Sequence, residues 1–119
     1  MKVAITSKGE QLSSDVDPRF GRAPFIIIVD TETMDFEVLD NSTNVNAFKG
    51  AGIQAATMVA GKGAEVLLTG YCGPNAFKTV TAAGMKVVSD SSGSVEEVLS
   101  KFKDGKVTYS EAENTDGHW

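Results

Sequence analysis

Apolar residues fall along the chain in two rhythms, short blocks and alternations early, and a spacing of three to four later. Lys2–Ser7 (KVAITS) is β-prone and predicts a first, central strand. Phe25–Asp30 is a continuous apolar run suited to a buried strand, and Phe36–Asp40 (FEVLD) alternates cleanly. A turn at Thr31–Asp35 pairs these two as a hairpin. A helix is predicted from about Gly52 to Lys62, with Ile53, Ala56, Val59 and Ala60 on one face. Glu65–Thr69 is the next buried strand. Pro74, placed at a first helical position, opens a helix striped by Ala76, Phe77, Val80 and Ala83 that ends at Gly84. Lys86–Ser89 is a short strand. Ser94 and Glu97 have the spacing of a capping box before a helix with Val95, Val98, Leu99 and Phe102 on one face, stopped by Asp104-Gly105. Lys106–Tyr109 reads as a last edge segment.

This order predicts an α/β protein with a five-stranded mixed sheet flanked by helices. Right-handed crossovers give strand order 3-2-1-4-5 with the second strand antiparallel to the rest. Four loops (8–24, 41–51, 70–74 and 89–94) then gather at one sheet edge. Open α/β sheets bind ligands at such an edge, beside strand carboxyl ends and positive helix ends. Loop 8–24 is long for a compact domain, and such loops are usually functional. Residues 1–110 are expected to form one domain, and 111–119 a flexible acidic tail.

Composition removes much familiar chemistry. One cysteine excludes a disulfide, a CxxC pair and any four-cysteine site, and one histidine, His118, excludes HExxH and multi-histidine centres. The net charge is −5, which argues against nucleic-acid or membrane-surface partners. It is unevenly placed: four bases and eight acids in 1–40, four and one in 41–89, three and seven in 90–119. The middle is locally basic inside an acidic protein. The N-terminal apolar run is too short for a signal peptide and no segment approaches a membrane span, so a cytoplasmic location is expected.

The candidate chemistry lies on the predicted loop edge. Arg19 and Arg22, the only arginines, stand three apart in Arg19-Phe20-Gly21-Arg22-Ala23-Pro24. Their permanent charge and planar donor forks suit polyanionic surfaces; the alternative is surface arginines bridging Asp15 and Asp17. Gly50, Ala51 and Gly52 open the first helix, and Gly70 and Gly73 the second. Small residues there let a bulky ligand reach backbone N–H groups, or simply make turns. The pattern is neither GxGxxG nor GxxxxGK[ST], so no dinucleotide or P-loop site is supported. Asn75 can orient a ligand or bond its own loop. Cys72, just before a helix, is placed for the dipole to lower its thiol pKa and make it an auxiliary soft metal ligand; otherwise it is an inert, half-buried thiol. Phe20 and Tyr71 offer an apolar wall. The acids at 30, 32, 35, 37 and 40 mostly alternate along a hairpin face, and the first strand carries no carboxylate, which disfavours a two-metal nuclease.

Arg19–Phe25, Asn41, Gly50-Ala51-Gly52 with Ala55-Ala56, and Gly73-Pro74-Asn75-Ala76-Phe77 form an ordered set, extended by Ala83–Val87 and Val95-Glu96-Glu97. The set resembles the dinitrogenase iron–molybdenum cofactor biosynthesis family over about residues 1–108. The resemblance implies a ribonuclease-H-like fold and a role in binding or carrying a preformed metal–sulfur cluster. In the nitrogenase branch the cargo is an iron–molybdenum cofactor or its precursor. In the branch from anaerobic sulfate reducers, to which the stand-alone length and acidic tail point, it is a molybdenum–copper sulfide cluster held largely without protein ligands. Some members have histidine where this chain has Arg19, so capture here shifts to charge and hydrogen bonds.

The expectation is a non-enzymatic carrier of an anionic metal–sulfide cluster, exchanging with donor or acceptor proteins. The rival is a small phosphate- or nucleotide-binding domain, or hydrolase, using the same edge.

Overall fold

The computed structural model describes residues 1–42 and 50–110. Five strands run β1 (Lys2–Ser7), β2 (Phe25–Asp30), β3 (Phe36–Asp40), β4 (Val66–Leu68) and β5 (Lys86–Val88). Three helices lie wholly within the described residues: α1 (Ala51–Gly61), α2 (Pro74–Ala82) and α3 (Val95–Lys103). The sheet order is β3-β2-β1-β4-β5. β2 is antiparallel to β1 and β3, while β1, β4 and β5 are parallel. The strand order and the antiparallel β2 are those expected from the hairpin and the two strand–helix crossovers.

The two-residue period of the strands explains the two cores. Ala4, Ile26, Ile28, Leu67 and Val87 face one side, with Ala55, Ala56 and Val59 of α1 and Val80 of α2. Val3, Ile5, Ile27, Val29 and Leu68 face the other, with Val95, Val98 and Leu99 of α3. Neighbouring residues thus serve opposite layers, and a one-residue register slip would put each set on the wrong side.

Each of these three helices ends in the same device. Gly63, Gly84 and Gly105 adopt left-handed φ of 80°, 85° and 72°. The paired bonds that follow, such as Met85 N–H to Val80 O (3.0 Å) with Gly84 N–H to Thr81 O (3.0 Å), close a Schellman motif. The starts differ. α3 has a complete Ser94–Glu97 capping box, whereas α1 and α2 begin at Gly50 and Gly73 with no side-chain cap.

Lys106–Tyr109 is not a strand. The segment beside β5 is tied by Ser110, whose N–H donates to Val87 O (2.7 Å), by the Ser110–Ser89 hydroxyl pair (2.9 Å) and by Lys86 over the Tyr109 ring (4.9 Å). One backbone bond does not propagate a ladder. The expected tail, Glu111–Trp119, lies outside the described residues, as does the 43–49 part of the second polar loop.

Ser94→Ala should cost about 1 kcal/mol, the usual value of an N-cap. Leu67→Ala, at a fully buried position, should cost about 2–5 kcal/mol. Urea denaturation of both variants measures the difference.

Candidate functional site

Loop 18–24 crosses the carboxyl edge of the sheet because several groups bind it there. Asn41, fully buried at the end of β3, donates through Nδ2 to Ala23 O (2.7 Å) and Gly21 O (3.3 Å). Phe20 is 2% exposed and sits in the α1/α2-side core. Its N–H donates to Tyr71 O (3.2 Å), joining the loop to the segment before α2. Asp17 is held by Thr6 on both sides: its N–H donates to Thr6 O (3.0 Å), and its carbonyl accepts the Thr6 hydroxyl (2.6 Å).

Backbone proximity then brings the helix starts together. A Cβ on Gly21 would lie 2.7–3.0 Å from the backbone of Gly52 and Ala51, and one on Gly52 would lie 3.0 Å from Ala76 Cβ. A Cβ on Gly70 would lie 2.7 Å from the Pro18 Cα. At these three positions protein takes the space, so the sequence-based idea that glycines at the helix starts clear room for a ligand does not apply to Gly52 and Gly70. Gly50 needs glycine for its φ of 80°, although a Cβ there would meet nothing within 4 Å. Gly73 is different. Its φ of −70° is open to any residue, and a Cβ would make only ordinary contact with the Tyr71 ring (3.5 Å). Neither conformation nor crowding inside the chain demands glycine at 73, which stands as the N-cap of α2.

The result is a cleft of about 220 Å³. Of the ten residues singled out from sequence, nine line it: Arg19, Phe20, Gly21, Arg22, Gly50, Ala51, Gly52, Gly73 and Asn75. Ile53, Tyr71, Pro74 and Ala76 complete the wall. No acidic side chain lines it among the described residues. Ile53, 42% exposed, departs from the core-facing position that helical spacing predicts. It belongs to the cleft mouth because the buried stripe of α1 runs through Ala51, Ala55, Ala56 and Val59.

Arg19 pairs with Asp17, the plainer of the two sequence-based alternatives. Asp17 Oδ1 accepts from the Arg19 N–H (2.9 Å) and Nε (3.3 Å), and Oδ2 from Nη2 (3.4 Å). The carboxylate is 2% exposed and the guanidinium side chain 46%. Sequence reasoning named Asp17 only as a bridging partner of the arginines and Asn41 only as part of the family pattern, and gave neither a role in shaping the site. The signal for the first was an aspartate two residues before an arginine across Pro18, the spacing of an Asx turn.

Gly70 does not line the cleft, and neither does Cys72. The cysteine is fully buried in the core with Phe20 and Ala76. Burial pushes its thiol up to about 12, against an ordinary 9.0, so desolvation outweighs the dipole effect expected from sequence. Among the described residues no three His, Cys, Asp or Glu side chains gather as a metal centre. His118 lies outside them. A larger groove of about 430 Å³ lies between β5, α3 and residues 106–110. It holds neither arginine, and the nearby helix start is closed by its own capping box.

Gly21→Ala should destabilise by about 1–3 kcal/mol, since backbone must move, whereas Gly73→Ala should lose only about 1 kcal/mol or less of capping preference; chemical denaturation of each decides. Cys72 should react with iodoacetamide at pH 8 roughly 10²–10³ times more slowly in the native than in the unfolded protein, following the thiolate fractions. Below pH 9 the thiol is protonated in both states. Between 9 and 12 the unfolded chain ionises first, so stability should fall over that window.

Known proteins match this architecture along its length. The dinitrogenase iron–molybdenum cofactor family model matches residues 1–105. The apo form of the orange protein from Desulfovibrio gigas is 44% identical, with a TM-score of 0.93 and 96% of each chain covered. A NifB-type protein from Thermotoga, of the DUF35 family, is 37% identical, with a TM-score of 0.84 and 98% of each chain covered. An uncharacterised protein of Methanocaldococcus jannaschii is 27% identical over 110 residues, 90% of this chain and 89% of its own. With a family model spanning nearly all of the folded domain, the chain belongs to the dinitrogenase iron–molybdenum cofactor family.

Proposed function

We propose that this protein is a non-enzymatic carrier of a preformed, anionic molybdenum-containing metal–sulfide cluster, held in the cleft between loop 18–24 and the starts of α1 and α2. One observation carries the reading: two arginines and two helix N-termini without side-chain caps converge on a cleft with no acidic side chain in its described lining, in a protein of net charge −5. The first N–H groups of a helix have no intrahelical acceptor, and the macrodipole places partial positive charge there. A polyhedral sulfide surface offers many weak acceptors of diffuse charge, which suits several N–H donors better than one strong ligand. Tyr71 supplies apolar contact for the sulfur faces; Phe20, expected from sequence to share that wall, is 2% exposed and serves the core instead.

The family name and the orange-protein likeness support molybdenum in the cargo. We assign the molybdenum–copper sulfide type over the iron–molybdenum cofactor because the likeness to the orange protein exceeds that to the NifB-type protein, in identity and in shape. Buried Cys72 also fits a cluster that brings its own sulfide ligands. The strand order with an antiparallel β2 suits the ribonuclease-H-like class. No described helix is long and apolar enough to cross a membrane, and on this reading the carrier works in the cytoplasm, exchanging cargo with donor and acceptor proteins.

The test is anaerobic reconstitution with tetrathiomolybdate and copper, followed by gel filtration, metal counting and visible absorption. Wild type should retain coloured, molybdenum-containing protein. Arg19→Ala with Arg22→Ala should weaken retention on the order of 10²-fold or more, at about 1.5–3 kcal/mol for each charged hydrogen bond. Retention by wild type should also fall as salt rises. Cys72→Ser should keep the colour. If Cys72→Ser loses the metal while the double-alanine protein keeps it, thiolate ligation replaces capture by charge. A colourless wild type stabilised thermally by nucleotides supports the phosphate-binding rival instead.

A further inference from the structure

Asp17 poses a problem that cluster capture alone leaves unsolved. A site built to attract anions has an almost fully buried carboxylate directly behind one of its two arginines. Burying a carboxylate is costly unless it is well paired, and the fold spends several bonds on this one. Thr6 clamps its backbone from both sides, and the Thr6 hydroxyl lies 2.9 Å from that of Thr69 at the end of β4. The Asp17 carboxylate in turn takes the Nε and Nη2 edge of Arg19.

We propose that Asp17 is a specificity-determining residue of the cleft, which rejects compact oxyanions in favour of large or sulfur-faced anions by occupying one edge of Arg19 and offsetting its charge. This rests on the carrier reading of the same cleft. A guanidinium binds a tetrahedral oxyanion best through two parallel N–H groups, and the side-on pair is Nε with Nη2. That pair is engaged by Asp17, so a ligand in the cleft that Arg19 lines has only its other N–H groups to use.

Charge works in the same direction. Compact oxyanions are strongly hydrated, and they surrender water only for concentrated positive charge. With Asp17 beside it, Arg19 offers donors but little net charge. A sulfide anion of the same formal charge is larger, more diffuse and less strongly hydrated, so donors and apolar wall serve it well. Selectivity comes from an element that works against the wrong ligand. Phosphate and sulfate are the abundant anions such a device would exclude.

Molybdate and tetrathiomolybdate separate the two cases, since they share metal, geometry and charge and differ in oxygen against sulfur. Binding of each alone is measured by titration calorimetry at fixed ionic strength for wild type and Asp17→Asn. Wild type should prefer tetrathiomolybdate. D17N should tighten molybdate roughly tenfold, the scale of one charged hydrogen bond, with a much smaller gain for tetrathiomolybdate, so the ratio collapses. Asp17→Ser is the second variant, used where D17N does not fold, because its hydroxyl still accepts the Arg19 N–H. A ratio unchanged in a folded variant overturns the inference, as does equal tightening of both anions, which is charge without selectivity. If wild type retains the cluster and the ratio is unchanged, only this inference falls; if wild type takes up neither sulfide probe nor cluster, the carrier reading falls with it.

Discussion

Gly21 lies so close to the first turn of α1 that a methyl group there would sit 2.7 Å from the Gly52 nitrogen. The site depends on that approach. Gly52 in turn meets Ala76, so a loop and two helix starts share one small volume only because residues 21, 52 and 76 are glycine or alanine. Larger side chains at any of them would hold these backbones apart and disperse their N–H groups. Asn41 fixes the other side of the loop, using a fully buried amide to bind carbonyls that a buried loop would otherwise leave unmet. Phe20 anchors the loop from below. The cleft is therefore a packing solution first and an electrostatic one second.

Its electrostatics follow from what the packing excludes. The chain carries sixteen acids against eleven bases, yet the described cleft lining contains two arginines and no acid. The nearest carboxylate along the loop, Asp17, lies behind the lining and binds Arg19 there. The acids of the β2–β3 hairpin lie elsewhere, where Glu37 bonds Lys62 at 2.6 Å and Asp30 caps its own turn through the N–H groups of Glu32 and Thr33. Those turn bonds, with backbone N–H of Glu32 first, hold the Asp30 carboxyl below its usual value. Positive character at the cleft is thus local, and screening over about 8 Å keeps the distant acids from cancelling it.

The architecture was legible because strand and helix periods are read from consecutive residues. The FEVLD alternation gave the hairpin, and Ser94 with Glu97 gave a capping box that forms in full. What failed to read were outcomes of tertiary placement. Lys106–Tyr109 has β-prone residues but only one backbone bond to β5 follows it, from Ser110. Cys72 stands before a helix start, and that local cue suggested an acidified thiol; the core that closes over it comes from Phe20, some fifty residues earlier. The glycines were visible as a group, but the sequence does not distinguish Gly21 and Gly52, which serve close packing, from Gly73, where a side chain would make only ordinary contact with the Tyr71 ring. Only the neighbours of an imagined Cβ separate those roles.

That separation bears on how a cargo site differs from a resident metal site. A thiolate bonded to the metal would hold the cluster through a bond that must break at each transfer. On the proposed reading, N–H donors on helix starts and a guanidinium fixed by Asp17 impose no such step, because hydrogen bonds of about 1–3 kcal/mol each exchange individually with water. Many weak, pre-oriented contacts can sum to useful affinity while each remains easy to lose, since the ordering cost is met during folding. Keeping Cys72 protonated and inside the core fits that logic. On the proposed carrier reading, it would deny the cargo a covalent foothold at the place where the helix dipole favours one.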